Sequence, residues 1–154
     1  MIKTLTVVPL LLACNPTTPK EDTGDGLLRL ASITGNVELA VPPSGDGLGT
    51  MVVILSNNSN SVDIMPHRIF VESLVVIETA DFAMPFQLTN IFPQDEPYYI
   101  GAFFDEDFSM AGQGSYQPNS GDLSSWMDGE LFHEIVLGSG EDRSLVITLI
   151  DEME

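Results

Sequence analysis

The chain has 154 residues, 44% of them hydrophobic, which is enough for one domain with a real core and leaves little room for a second. Five Lys+Arg stand against 23 Asp+Glu, a formal charge of −18, so there is no clustered cationic face for nucleic-acid phosphates or for anionic lipid. The single cysteine excludes an internal disulfide framework and any cysteine-based zinc site.

Met1-Ile2-Lys3 is a short positive start, and Thr4 to Leu12 is an uncharged, mostly apolar run. It falls short of the ~20 residues a membrane-spanning helix needs, and matches the ~7–15 residues of a secretory hydrophobic region. Leu11-Leu12-Ala13-Cys14 resembles the lipobox of bacterial lipoproteins: two aliphatic residues, a small residue, then cysteine. The resemblance implies cleavage after Ala13, with residues 1–13 as signal peptide and Cys14 as the lipidation site. Acyl chains on Cys14, each contributing ~0.8 kcal/mol per buried CH₂, would anchor the chain to a membrane. Asn15, rather than Asp, follows the cysteine, and within the resemblance this favours the outer membrane of a bacterial cell envelope. Cleavage removes Lys3 and no acid, leaving four Lys+Arg against 23 acids and a charge of −19.

Asn15 to Gly26 (NPTTPKEDTGDG) has no apolar residue and reads as a flexible linker, so residues 14–26 form a tether and the folded domain spans 27–154. Strand signals then follow in order. Leu30 to Val41 carries Ile33, Val37, Leu39 and Val41. After the turn Pro42–Gly47 comes Thr50 to Ser56, then the loop Asn57–Ser61, then Arg68 to Glu78 and Pro85 to Ile91. Pro93 to Pro97 reads as a turn. Tyr98 to Phe104 (YYIGAFF) is apolar on both faces and reads as a central strand. Glu130 to Leu137 and Ser144 to Ile150 close the chain as a hairpin around Gly138–Asp142. Phe108 to Gly129 has no periodicity, and a stretch of that length without its own structure is usually functional or mobile. The expectation is an all-β chain: a single antiparallel β-sandwich of about seven strands.

The sequence of Gly35-Asn36-Val37, a Gly-Thr-Met-Val-Val strand, Phe86-Gln87-Leu88, Tyr98 to Asp105 and Ile147-Thr148-Leu149 resembles the carboxypeptidase-regulatory, transthyretin-like β-sandwich found in bacterial envelope lipoproteins. The turn Pro93-Gln94-Asp95-Glu96-Pro97 departs from that group's usual Pro-Gly. The resemblance implies a non-catalytic module that binds a partner or builds the surface.

Asp105-Glu106-Asp107-Phe108-Ser109 is the strongest candidate site. Alternation in an extended segment puts Asp105, Asp107 and Ser109 on one side, and Asp122 could return from the long loop to join them. Ca²⁺ takes ~6–8 oxygen ligands, which this set begins to supply. It is not an EF-hand: Met110 stands where that loop needs Gly, and Tyr116 where it needs Glu. The competing reading is an ordinary acidic surface loop. The aromatic residues Tyr98, Tyr99, Phe103, Phe104, Phe108, Tyr116 and Trp126 read either as a carbohydrate or peptide platform or, more simply, as packing. His67 and His133 are too few for a structural zinc site, and no Gly-x-Ser-x-Gly elbow is present. Gly112-Gln113-Gly114 lacks the lysine of a phosphate loop. Two functions therefore stand side by side: a lipid-anchored, non-enzymatic envelope domain, and a calcium-dependent ligand- or carbohydrate-binding module using the acidic loop.

Overall fold

Alternating apolar residues fold as strands throughout a computed structural model, which describes residues 27–59, 66–79, 81–108, 116, 118–126 and 133–152. The signal-peptide and tether readings, Cys14 and Ser109 included, lie outside the described residues. Among those described there is no helix, and the strands are β1 (Ala31–Leu39), β2 (Leu48–Ser56), β3 (Pro66–Val76), β4 (Ala83–Ile91), β5 (Gln94–Asp105), β6 (Leu123–Ser124), β7 (His133–Leu137), β8 (Asp142–Leu149) and β9 (Asp151–Glu152). They form two packed sheets. The smaller has the order β4-β1-β8; the larger runs β3-β2-β5-β6-β9, with β7 also paired to β5.

The two-sheet, all-β expectation holds, and β5 is the central strand of the larger sheet. Three local expectations need correction. First, β7 and β8 are not a hairpin: β7 pairs with β5 and β8 with β1, so the chain changes sheets at Gly138–Glu141. The turn itself is real, closed by Glu141 N–H donating to the Gly138 carbonyl at 3.2 Å and Gly138 N–H to Glu141 Oε2 at 2.8 Å. Second, Gln94–Pro97 is not a turn but the irregular opening of β5, where the register against β7 slips between Gln94 and Tyr98. The sheet change needs only Phe92-Pro93. Third, β1 and β8 pair in parallel, from Ser32↔Asp142 to Leu39↔Leu149, whereas the other pairings are antiparallel.

Period-2 alternation explains the packing. Met51, Val53 and Leu55 of β2 and Tyr98, Ile100, Ala102 and Phe104 of β5 face the smaller sheet, where they meet Ile33, Val37, Phe86, Leu88, Ile147 and Leu149. The intervening Val52, Ile54 and Phe103 face outward, yet they too are buried, because Trp126 covers them with Ile69, Tyr99 and Tyr116 around it. The segment after β5 thus folds back over the outer face of its own sheet. Phe103 and Trp126 meet edge to face at 5.7 Å.

Strand directions define two ends. At the entry end lie the start of β1, the 138–141 turn, the end of β4 and the start of β5: Arg29 N–H donates to Ser139 Oγ, Gly140 N–H to the Arg29 carbonyl, and Ala31 sits opposite Ile91. At the other end lie the turn after β1, the ends of β3 and β5, and β6. Ile77 N–H there donates to the Gly47 carbonyl and Gly45 N–H to Glu106 Oε2. The twelve residues of β5 run from one end to the other, roughly 35–40 Å at strand rise.

Candidate metal centre

Asp105 is the last residue of β5, and its backbone is held opposite Thr50 of β2. Gly49, beside it, leaves no room for a side chain: a Cβ there would lie 2.4 Å from the Asp105 carbonyl oxygen and 2.8 Å from the Phe104 ring. One short strand, β6, does the rest. Phe104 pairs with Leu123 and Phe103 with Ser124, and one further antiparallel step brings Asp122 opposite Asp105.

Asp122 is fixed from both sides. Its Oδ2 accepts from Asn119 N–H at 2.7 Å and its Oδ1 from Glu106 N–H at 3.3 Å, while its own N–H donates to the Asn119 carbonyl at 3.1 Å. Gly121, with φ of 97°, supplies the left-handed step of that turn. On the other strand Phe108 takes a φ of 56°, turning the chain away just past Asp107. Glu106 points elsewhere: its Oε2 accepts from Gly45 N–H at 2.8 Å and ties the acidic loop to the turn after β1.

The outcome is that carboxylate oxygens of Asp105, Asp107 and Asp122 lie within 4.8 Å of one another. Asp105 is 1% exposed and Asp122 2%, while Asp107 is open to solvent. Burial pushes the Asp122 carboxyl up from 3.8 to about 6; the Asn119 N–H opposes that rise, the Asp105 charge adds to it, the Glu106 N–H again opposes, and Asp107 adds the remainder. The arginines among the described residues are engaged at the entry end, Arg29 against Gly140, Arg68 on the carbonyls of His67, Thr89 and Asn90, and Arg143 on Glu141. Two buried carboxylates facing a third form a site whose electrostatics favour a cation or a proton.

Of the residues the sequence singled out, Asp105, Asp107 and Asp122 converge, and Ser109 lies outside the described residues. Two oxygens on opposite sides of a Ca²⁺ ion, each at about 2.4 Å, are about 4.8 Å apart, so the carboxylate set spans a distance one such ion can bridge. Gly49, the Asn119 turn and the Glu106–Gly45 tie escaped sequence reasoning. Their only signals were a glycine at a strand start and an Asn-Ser-Gly-Asp turn whose partner strand is two residues long.

The histidines stand apart from the carboxylates. His67 is at the entry end, its ring 5.1 Å from Tyr98 and 6.4 Å from Phe92, and burial together with the neighbouring Arg68 charge lowers its pKa. His133 opens β7 opposite Ile100, and burial lowers its pKa as well. Among the aromatic residues, Tyr98 and Phe104 belong to the central core, Phe103 and Trp126 to the outer one with Tyr99 and Tyr116 packed against it, and Phe108 is exposed. Tyr98 Oη donates to the Phe92 carbonyl at 2.6 Å.

Compared with family models, with curated proteins and with solved structures, the chain matches none.

Proposed function

We propose that the chain is a non-catalytic, lipid-anchored β-sandwich of the bacterial cell envelope, and that its acidic end holds a divalent cation, calcium by its chemistry. The convergence of Asp105, Asp107 and Asp122, two of them buried, carries the cation reading. Hard carboxylate oxygens without thiolate or imidazole favour Ca²⁺ over softer metals, and a partly loop-built shell suits its flexible coordination better than the rigid octahedron of Mg²⁺. The ion would neutralise the repulsion inside the cluster and tie Asp107 and Asp122 to the end of β5. The anchor reading rests on Leu11-Leu12-Ala13-Cys14, and the likeness to the transthyretin-like envelope modules supports a binding or scaffolding role for the domain.

Calcium titration with thermal melting tests the cation reading. Calcium at ~100 Kd stabilises by ~2.7 kcal/mol, and magnesium at the same concentration by less. The paired change Asp105→Asn with Asp107→Asn abolishes the shift. No shift at millimolar calcium, or an equal shift in the paired variant, rejects the reading. For the anchor, Cys14→Ser abolishes acyl labelling in the native host; continued partitioning of that variant into detergent counts against it.

A further inference from the structure

We propose that the entry end of the sandwich is a lipid-contact face, on which Leu27, Leu28, Phe92 and Val136 seat the domain against the phospholipid surface that carries its anchor. The inference rests on the acylation of Cys14 and goes beyond it: acyl chains alone do not set which face of the domain meets the lipid.

Three observations converge on this end. The first is exposed apolar surface. Leu27 is 71% exposed, Leu28 73%, Phe92 59% and Val136 47%. Leu28, Pro93 and Val136 line one shallow cleft, and Leu27 and Phe92 are the chain neighbours of two of its lining residues. The second is charge. Every Lys or Arg among the described residues (Arg29, Arg68 and Arg143) lies at or beside this end, whereas Asp46, Glu78, Asp105, Glu106, Asp107 and Asp122 gather at the other. Asp95, Glu96, Glu134, Glu141 and Asp142 also stand at or beside the entry end, so the three arginines make it the less acidic of the two ends rather than a cationic one.

The third observation is where the rest of the chain leaves. The described residues begin at Leu27, within the patch itself, and twelve residues separate it from Cys14. Twelve residues reach at most about 40 Å. The patch is therefore held close to the bilayer at high effective concentration, so weak apolar contacts suffice to orient the domain. Seated this way, the carboxylate end projects roughly 35 Å from the lipid, clear of its headgroups.

The test uses full-length protein, acylated in its host and reconstituted into phosphatidylcholine vesicles. Acylated Cys14 has no free thiol, so one introduced cysteine takes a fluorophore uniquely. Labels at Leu28→Cys and Val136→Cys report the entry end, and a label at the exposed Glu78→Cys reports the other. With spin-labelled lipid in the bilayer, quenching about twofold or more stronger at 28 and 136 than at 78 is expected for shallow apolar insertion. Adding Leu27→Glu to the Val136→Cys chain removes most of that difference while the protein still floats with the vesicles. Equal, weak quenching at all three positions in floating protein overturns the proposal. So does energy transfer between copies labelled at 28 without lipid quenching, which makes the patch an interface between copies. Failure to float at all rejects the anchor itself, a separate result.

Discussion

The two ends of the sandwich solve opposite problems. At the entry end the chain is tied down by hydrogen bonds in which backbone groups predominate: Arg29 N–H to Ser139, Gly140 N–H to Arg29, Ser32 N–H to Glu141, and Arg68 across the carbonyls of Thr89 and Asn90. Its charges are exposed or paired, and Leu27, Leu28, Phe92 and Val136 are exposed there. At the acidic end Asp105 and Asp122 are carried under the surface by a strand end and a two-residue strand, while Val76 and Phe108 stay exposed beside them. The first end is held together by geometry that costs little in water. The second stores electrostatic repulsion that a cation or a proton relieves.

Substitutions at matched positions break the comparison most sharply. Gly49→Ala drives a Cβ against the Asp105 carbonyl oxygen at 2.4 Å and the Phe104 ring at 2.8 Å, both on the rigid central strand. About 3 kcal/mol of stability should be lost, with weakened calcium response, measured by denaturant unfolding with and without calcium. At the entry end, Gly140→Ala meets only the flexible Arg29 side chain at 3.2 Å and pays mainly for its φ of 67°, so about 1 kcal/mol is expected.

Acidification separates the ends next. In calcium-free buffer, Asp122 binds its proton more tightly in the folded chain, at about 6, than in the unfolded chain, near 3.8. Its contribution is therefore present below about pH 4 and lost as pH rises through about 6, on the order of 3 kcal/mol. His67 and His133, held neutral by burial, act in the opposite direction and cost stability as pH falls below 6.5. The readout is thus the difference between the wild type and Asp122→Asn: the gain from pH 7 to pH 4 should shrink in the variant. An unchanged pH profile would place the stored repulsion elsewhere.

Smaller effects sharpen the entry end. Arg68→Lys keeps the charge but gives up the fork that reaches the His67, Thr89 and Asn90 carbonyls, and should cost about 1–2 kcal/mol in thermal melting. Arg143→Gln removes a 2.6 Å ion pair with Glu141 whose side chains are 45% and 33% exposed. Only a slight drop in melting temperature should follow, and high salt should erase it.

Much of this contrast was legible residue by residue. Tyr98 to Phe104 is apolar at consecutive positions, and only a strand covered on both faces tolerates that, so its central place followed from composition. The Asp105-x-Asp107 spacing placed two carboxylates together before any pairing was known, because extended backbone repeats every two residues. Asp122 was a guess of return, and the structure supplies its reason in the Phe104–Leu123 register.

What the sequence by itself determined was therefore the local period: where strands run, which of their residues seek a core, and where acids accumulate. Tertiary structure alone decided the partnerships. Gly138–Asp142 looks like a hairpin turn, yet β8 leaves β7 for the parallel edge of β1, since burying Ile147 and Leu149 against Ile33 and Val37 completes the core. The same long-range packing draws Trp126 over Phe103, brings Asp122 to Asp105, and sets the start of β1 at the end away from the Asp105 cluster. Alternation along a strand is a property of neighbours in sequence, whereas pairing and burial are set by surfaces that meet only once the whole chain has folded.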